Sequence, residues 1–202
     1  MSIAANQFIE MLINILLFSI VPFGWHIITQ KTPRGFLKKA GLYFPKTKHK
    51  KEILLIFVGT YIITWLLLFS SVILFQTERD NSAMKNLSNP LYFFLYLFFY
   101  GIKTGVSEEI FFRGFVAKNI IKHFGFKKGN IIQSLCFALP HIISISQMGI
   151  LDTIVRIINA IIFGWVFGYI MSKKANGSII PGILGHTGYN MLSSFLLSLL
   201  LV

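Results

Sequence analysis

Six apolar stretches limit what this chain can fold into. They run roughly over Phe8–Ile28, Ile53–Phe75, Leu91–Ile121, Ile131–Gln147, Thr153–Met171 and Ser178–Val202. A helix that crosses the hydrocarbon core of a bilayer needs about 20 mostly apolar residues, and each stretch is near that length. The fourth is short and the third is long enough to protrude. Composition agrees: 54% of the 202 residues are hydrophobic and 13% are charged, about half the charged share of a soluble domain. The expected fold is all-α, a polytopic transmembrane bundle of about six transmembrane helices, forming a single membrane domain over residues 1–202.

The connections between the stretches set an orientation. The first carries Lys31, Arg34, Lys38, Lys39, Lys46, Lys48, Lys50 and Lys51 with no acid among them. The third carries Lys118, Lys122, Lys127 and Lys128, and the fifth Lys173 and Lys174. Basic connections stay in the cytoplasm. The alternate connections carry Glu78, Arg79, Asp80 and Lys85, then Asp152, and should face outward. Every connection agrees with a multi-pass protein of the cell membrane with both termini outside. The first stretch has no positive leading region, carries Glu10 early and lacks a small-residue cleavage site, so it is expected to stay as a helix.

The net charge is +12. Its placement between apolar runs points to anionic membrane lipid as the partner and argues against nucleic acid. The lone Cys136 rules out an intrachain disulfide and a thiolate metal cluster, and reads as a small apolar residue. The small-residue spacings Gly101/Gly105 and Gly164/Gly168 predict close helix contacts.

Ionisable residues inside membrane helices are costly and point to function. Those that stand out are Glu108, Glu109 and Arg113 in the third helix, His141 in the fourth and His186 in the sixth, with Asn190 as a strong hydrogen-bonding group. Counted from the cytoplasmic helix ends, Glu108 lies about 15–20 Å deep, His141 about 16 Å and His186 about 12 Å. Three helices thus bring polar groups to nearly one level. Glu109 and Arg113 are four residues apart and can form an ion pair, while Glu108 points to another side and stays available. His186 and Asn190 are also four apart and can offer two hydrogen bonds to one atom. Pro140 removes a backbone bond beside His141 and predicts a bend. Among these residue types, a carboxylate and an imidazole can deprotonate a water molecule and return the proton to a leaving amine. An imidazole and an amide can stabilise an oxyanion.

The runs Glu108-Glu109-Ile-Phe-Phe-Arg113, Phe137-Ala-Leu-Pro-His141 and His186-Thr-Gly-Tyr-Asn190 resemble the EExxxR, FxxxH and HxxxN motifs of the CAAX-processing and bacteriocin-processing (CPBP, or Abi) intramembrane proteases. The motifs occur in the family's order, each on its own helix, which makes residues about 90–202 the motif-bearing core. The resemblance implies Glu108 and His141 as the water-activating pair, His186 and Asn190 as oxyanion stabilisers, and Glu109 and Arg113 in support. The function it implies is that of an intramembrane endopeptidase acting on membrane-bound or lipid-associated peptides. Glu108, His141 and His186 also form a His₂Glu set that zinc could take. The sequence leaves that open, and the metal-free mechanism is favoured. There is no HExxH, no pair of membrane aspartates and no GxSG, so the other intramembrane protease classes fit the chain badly.

Two other functions fit the same chain. One is a non-catalytic membrane partner, in bacteriocin immunity or sensor modulation, that keeps the protease fold. The other is a small proton-coupled transporter, against which the lack of an inverted repeat counts. Remaining polar residues have plain readings. Lys103 is expected to snorkel or meet a wet cavity, and Asp152 with Arg156 to form a surface ion pair at the outer end of the fifth helix.

Overall fold

The computed structural model describes residues 3–75 and 89–200. Among them the structure is helical, with no strand. In chain order the elements are α1 (Ile3–Gln30), α2 (Phe36–Ala40), α3 (Lys50–Phe75), α4 (Pro90–Glu108), a π-helical segment (Glu109–Ala117), α5 (Lys118–Ala138), a 3₁₀ segment (Leu139–Ser144), α6 (Ile145–Tyr169), a second π-helical segment (Ile170–Lys174) and α7 (Ile180–Leu200). The fold is an all-α membrane helix bundle. The spans Ala4–Gln30, Lys50–Ile73 and Gly149–Lys174 are long and apolar enough to cross a membrane by length and composition. α4 and α7 fall short of that standard because they carry Lys103 and Glu108, and His186 and Asn190. The predicted outward residues Glu78, Arg79, Asp80 and Lys85 lie outside the described residues.

Two compact units make up the chain. In the first, α1 and α7 both pack on α4, and α2 and the start of the first π segment belong to the same unit. Phe93, Tyr96 and Leu97 form its buried apolar cluster, with the Phe195 ring 6.1 Å from that of Phe93. α4 starts cleanly because the Asn89 side chain accepts from the Leu91 and Tyr92 amides at 3.1 and 3.3 Å, and Pro90 occupies the first turn, where no amide is needed. The start of α7 is tied to the chain after α2: the Ile179 amide donates to the Gly41 carbonyl at 2.9 Å and the Ser178 hydroxyl to the Tyr43 carbonyl at 2.5 Å. The outer faces present large apolar side chains, such as Leu16 on α1, two-thirds exposed, as lipid-facing helices do.

In the second unit α3 and α5 both pack on α6. Phe57, Phe163 and Phe167 interlock edge to face, with ring centroids 5.4 and 5.1 Å apart. Fully buried Gln133 and Asn130 on α5 donate to the Gly164 and Trp165 carbonyls of α6 at 2.6 and 2.9 Å. Gly164 and Gly168 are the close-contact positions there. A Cβ on Gly164 would lie 2.7 Å from Ser134 Cα.

Three expectations need correction. The lysine-rich stretch after the third segment, expected as a loop, is helical, because α5 starts at Lys118 and is interrupted only at Gly125, whose φ of 73° breaks the helix locally. The Ile131–Gln147 segment is not one helix: α5 stops at Ala138, and Leu139–Ser144 is a tightened 3₁₀ segment around Pro140. Asp152 and Arg156 do pair, at 2.6 Å, but not on the surface. Asp152 is fully buried and its other oxygen accepts from the Ser71 hydroxyl of α3 at 3.1 Å.

Candidate active site

The first unit brings most of the polar motif residues together. Glu108 closes α4 and Glu109 opens the π segment, so the two adjacent carboxylates stand where the helix widens. π turns are rare and recur at functional sites. Glu109, Arg113 and Ala117, spaced four apart, are all completely buried. Arg113 Nη1 lies 3.0 Å from Glu109 Oε1, the ion pair that the spacing predicts. A buried carboxylate and guanidinium are tolerable only when paired in this way.

Glu108 is different. A quarter of its side chain is exposed, whereas none of the Glu109 side chain is. α7 supplies an imidazole to both acids. His186 Nδ1 is 3.4 Å from Glu109 Oε1, and His186 Nε2 is 3.9 Å from Glu108 Oε2. The first distance is a long hydrogen bond. The second is too long for a direct bond, yet close enough for both groups to bond the same third atom. Asn190, one turn along α7, donates from Nδ2 to Thr104 Oγ1 on α4 at 2.5 Å.

Glycines allow this approach of α4 to α7. A Cβ on Gly105 would collide with the Thr187 hydroxyl and come 2.8 Å from the Thr187 amide nitrogen, and one on Gly101 would lie 2.9 Å from the Thr187 carbonyl. The predicted Gly101/Gly105 contact is therefore the α4–α7 seam. Gly182 has a similar role, since a Cβ there would lie 2.6 Å from Glu109 Oε2.

His141 belongs to the second unit. It is half-buried on the 3₁₀ segment beside Pro140, and its ring centroid is 5.9 Å from that of Phe137, which is itself buried. Among the described residues, no group of three or more His, Cys, Asp or Glu side chains is arranged to hold a metal ion.

Sequence reasoning missed two partners. Lys103 makes an ion pair with Glu10 of α1 at 2.8 Å and lies over the Tyr100 ring. Nothing local in the sequence joins residues so far apart. Thr104 was also overlooked, although it stands four residues before Glu108 and so on the same side of α4.

The motif-bearing half of the chain carries a family signature. A model described as type II CAAX prenyl endopeptidase Rce1-like matches residues 90–192, just over half of the chain. The chain belongs to this family. No curated protein and no solved structure matches it. The matched stretch begins at the first residue of α4 and extends past Asn190, so it takes in all three motifs. Membership supports intramembrane endopeptidase activity in general terms, and with the three apolar spans it supports a place in the membrane.

Proposed function

We propose that the chain is an intramembrane endopeptidase that hydrolyses peptide bonds of membrane-bound or lipid-associated peptides with water activated by Glu108 and His141. The observation that carries this reading is the division of labour between adjacent acids. Glu109 is spent on Arg113, whereas Glu108 is partly open and has an imidazole 3.9 Å away. A membrane helix that needed only an ion pair would not keep the second carboxylate.

Glu108 accepts a proton from water, with His141 holding the same water, as the water oxygen adds to the scissile carbonyl carbon. Charge collects on the carbonyl oxygen, where N–H groups of His186 and Asn190 stabilise it. When the tetrahedral intermediate collapses, the C–N bond breaks and the proton on Glu108 passes to the leaving amine. One water is consumed, and one carboxylate and one amine product form. Glu109 and Arg113 support the site. No metal is used in this scheme.

The chain acts as one membrane domain, residues 1–202, with its motif-bearing core at about 90–202. It spans the cell membrane about six times with both termini outside, and its partners are membrane lipids and the peptide substrate. The scissile bond then lies in the cytoplasmic half of the bilayer.

The test compares new peptide termini in membranes of cells that express wild type, Glu108→Gln or His141→Ala at matched levels. Loss of a general base costs about 10²–10⁴-fold, so products should appear with wild type and be absent from both variants. Cleavage that persists in a chelator supports the metal-free scheme. Equal profiles in all three, with the wild-type phenotype kept by the variants, would instead indicate a non-catalytic membrane partner.

A further inference from the structure

We infer that Thr104 is a positioning residue of the reaction, holding the Asn190 amide so that one N–H is left for the oxyanion; this rests on the endopeptidase reading above. The bond between them is short, with Asn190 Nδ2 donating to Thr104 Oγ1 at 2.5 Å. The direction of this bond has a local cause. The Thr104 hydroxyl proton is directed back to its own helix, where the Tyr100 and Gly101 carbonyls both lie 3.3 Å from Oγ1. With its proton given to the backbone, Oγ1 presents lone pairs to α7, and an amide facing lone pairs must turn its NH₂ to them. That choice fixes which end of the Asn190 amide is nitrogen. It uses one of the two Nδ2 hydrogens and leaves the other to donate elsewhere.

Register across the seam makes the contact possible. Thr104 is followed by Gly105, where the lack of a Cβ lets Thr187 of α7 press against the α4 backbone. His186 and Asn190 stand one before and three after Thr187, just as Thr104 and Glu108 stand one before and three after Gly105. A single close contact thus places His186 beside the two glutamates and Asn190 beside Thr104. An amide that turned freely would present its carbonyl to the oxyanion part of the time, and that orientation repels.

The experiment uses the full-length protein in membranes and a peptide that wild type is found to cleave in the terminus comparison. Rates are measured at saturating and at limiting peptide for Thr104→Val, Thr104→Ser, Asn190→Ala and Thr104→Val combined with Asn190→Ala, all at matched levels. Removing an outer partner that orients a metal ligand costs about 10–100-fold, and a partner that orients an oxyanion-binding amide is expected to act on the same scale. Thr104→Val should therefore lower the saturated rate by about that factor with little change in KM, and Thr104→Ser should restore most of it. In the Asn190→Ala background, Thr104→Val should cost nothing more, because nothing remains for it to hold. Two results would overturn the inference: a Thr104→Val rate close to wild type, or an equal fall with and without Asn190. A wild type that yields no products overturns the endopeptidase reading, and this role with it.

Discussion

Glu109–Arg113 and Asp152–Arg156 look alike in the sequence: each is an acid followed four residues later by arginine, within an apolar helix. In the structure they do different things. In the second unit both Asp152 oxygens are occupied, one by Arg156 at 2.6 Å and one by Ser71 at 3.1 Å, and Arg156 keeps a quarter of its side chain exposed. That cluster is closed and joins α6 to α3. In the first unit both members of the pair are completely buried, His186 also reaches Glu109, and a second acid, Glu108, stands next to the pair with a quarter of its side chain exposed. A structural ion pair satisfies its groups and stops there. A candidate site has polar groups beyond what packing requires, and here they are Glu108 and the His186 imidazole, whose Nε2 lies 3.9 Å from Glu108.

The comparison is tested most severely by removing each arginine. Arg113→Met leaves Glu109 charged, buried and without its cation, a change that typically costs about 3–5 kcal/mol. Arg156→Met leaves Asp152 with the Ser71 hydroxyl and should cost less, about 1–3 kcal/mol. Thermal midpoints of the purified variants in detergent check the order, and equal losses would break the distinction between the two pairs.

The paired glycines give a finer test. Gly105→Ala and Gly164→Ala each force a methyl group into a helix seam, and overpacking costs about 1–3 kcal/mol in either unit. Gly105→Ala should also lower cleavage per folded molecule, because the displaced Thr187 adjoins His186. Gly164→Ala presses on Ser134 of α5 and should leave cleavage per folded molecule unchanged. The smallest effect is expected for Ser71→Ala, about 1 kcal/mol for one lost hydrogen bond. It should shift the thermal midpoint slightly with cleavage intact.

Much of the site could be read from the sequence because each motif lies within one helix. Four-residue spacing alone predicts that Arg113 reaches Glu109 and that His186 and Asn190 share a side of α7. The misreadings came where a long-range partner decided the outcome. Asp152 looked like a surface acid because it sits near a helix end, and only the packing of α3 on α6 buries it beside Ser71. Lys103 seemed to need a wet cavity until α1 supplied Glu10. The lysine-rich stretch after Ala117 looked like a loop because its charges resemble one, yet its backbone is helical on either side of Gly125.

The sequence by itself determined that the chain is helical and membrane-embedded, that Arg113 pairs with Glu109, and that three motifs place it in its protease family. Those conclusions rest on apolar length, on helical periodicity and on motif order, all of which are local along the chain. Only the tertiary structure decided that the helix widens into π turns at Glu109, that His186 faces both acids, and that Thr104 holds Asn190. These depend on how near α7 comes to α4. That distance is set by side chains missing at Gly101, Gly105 and Gly182, a property of two surfaces in contact rather than of either helix alone.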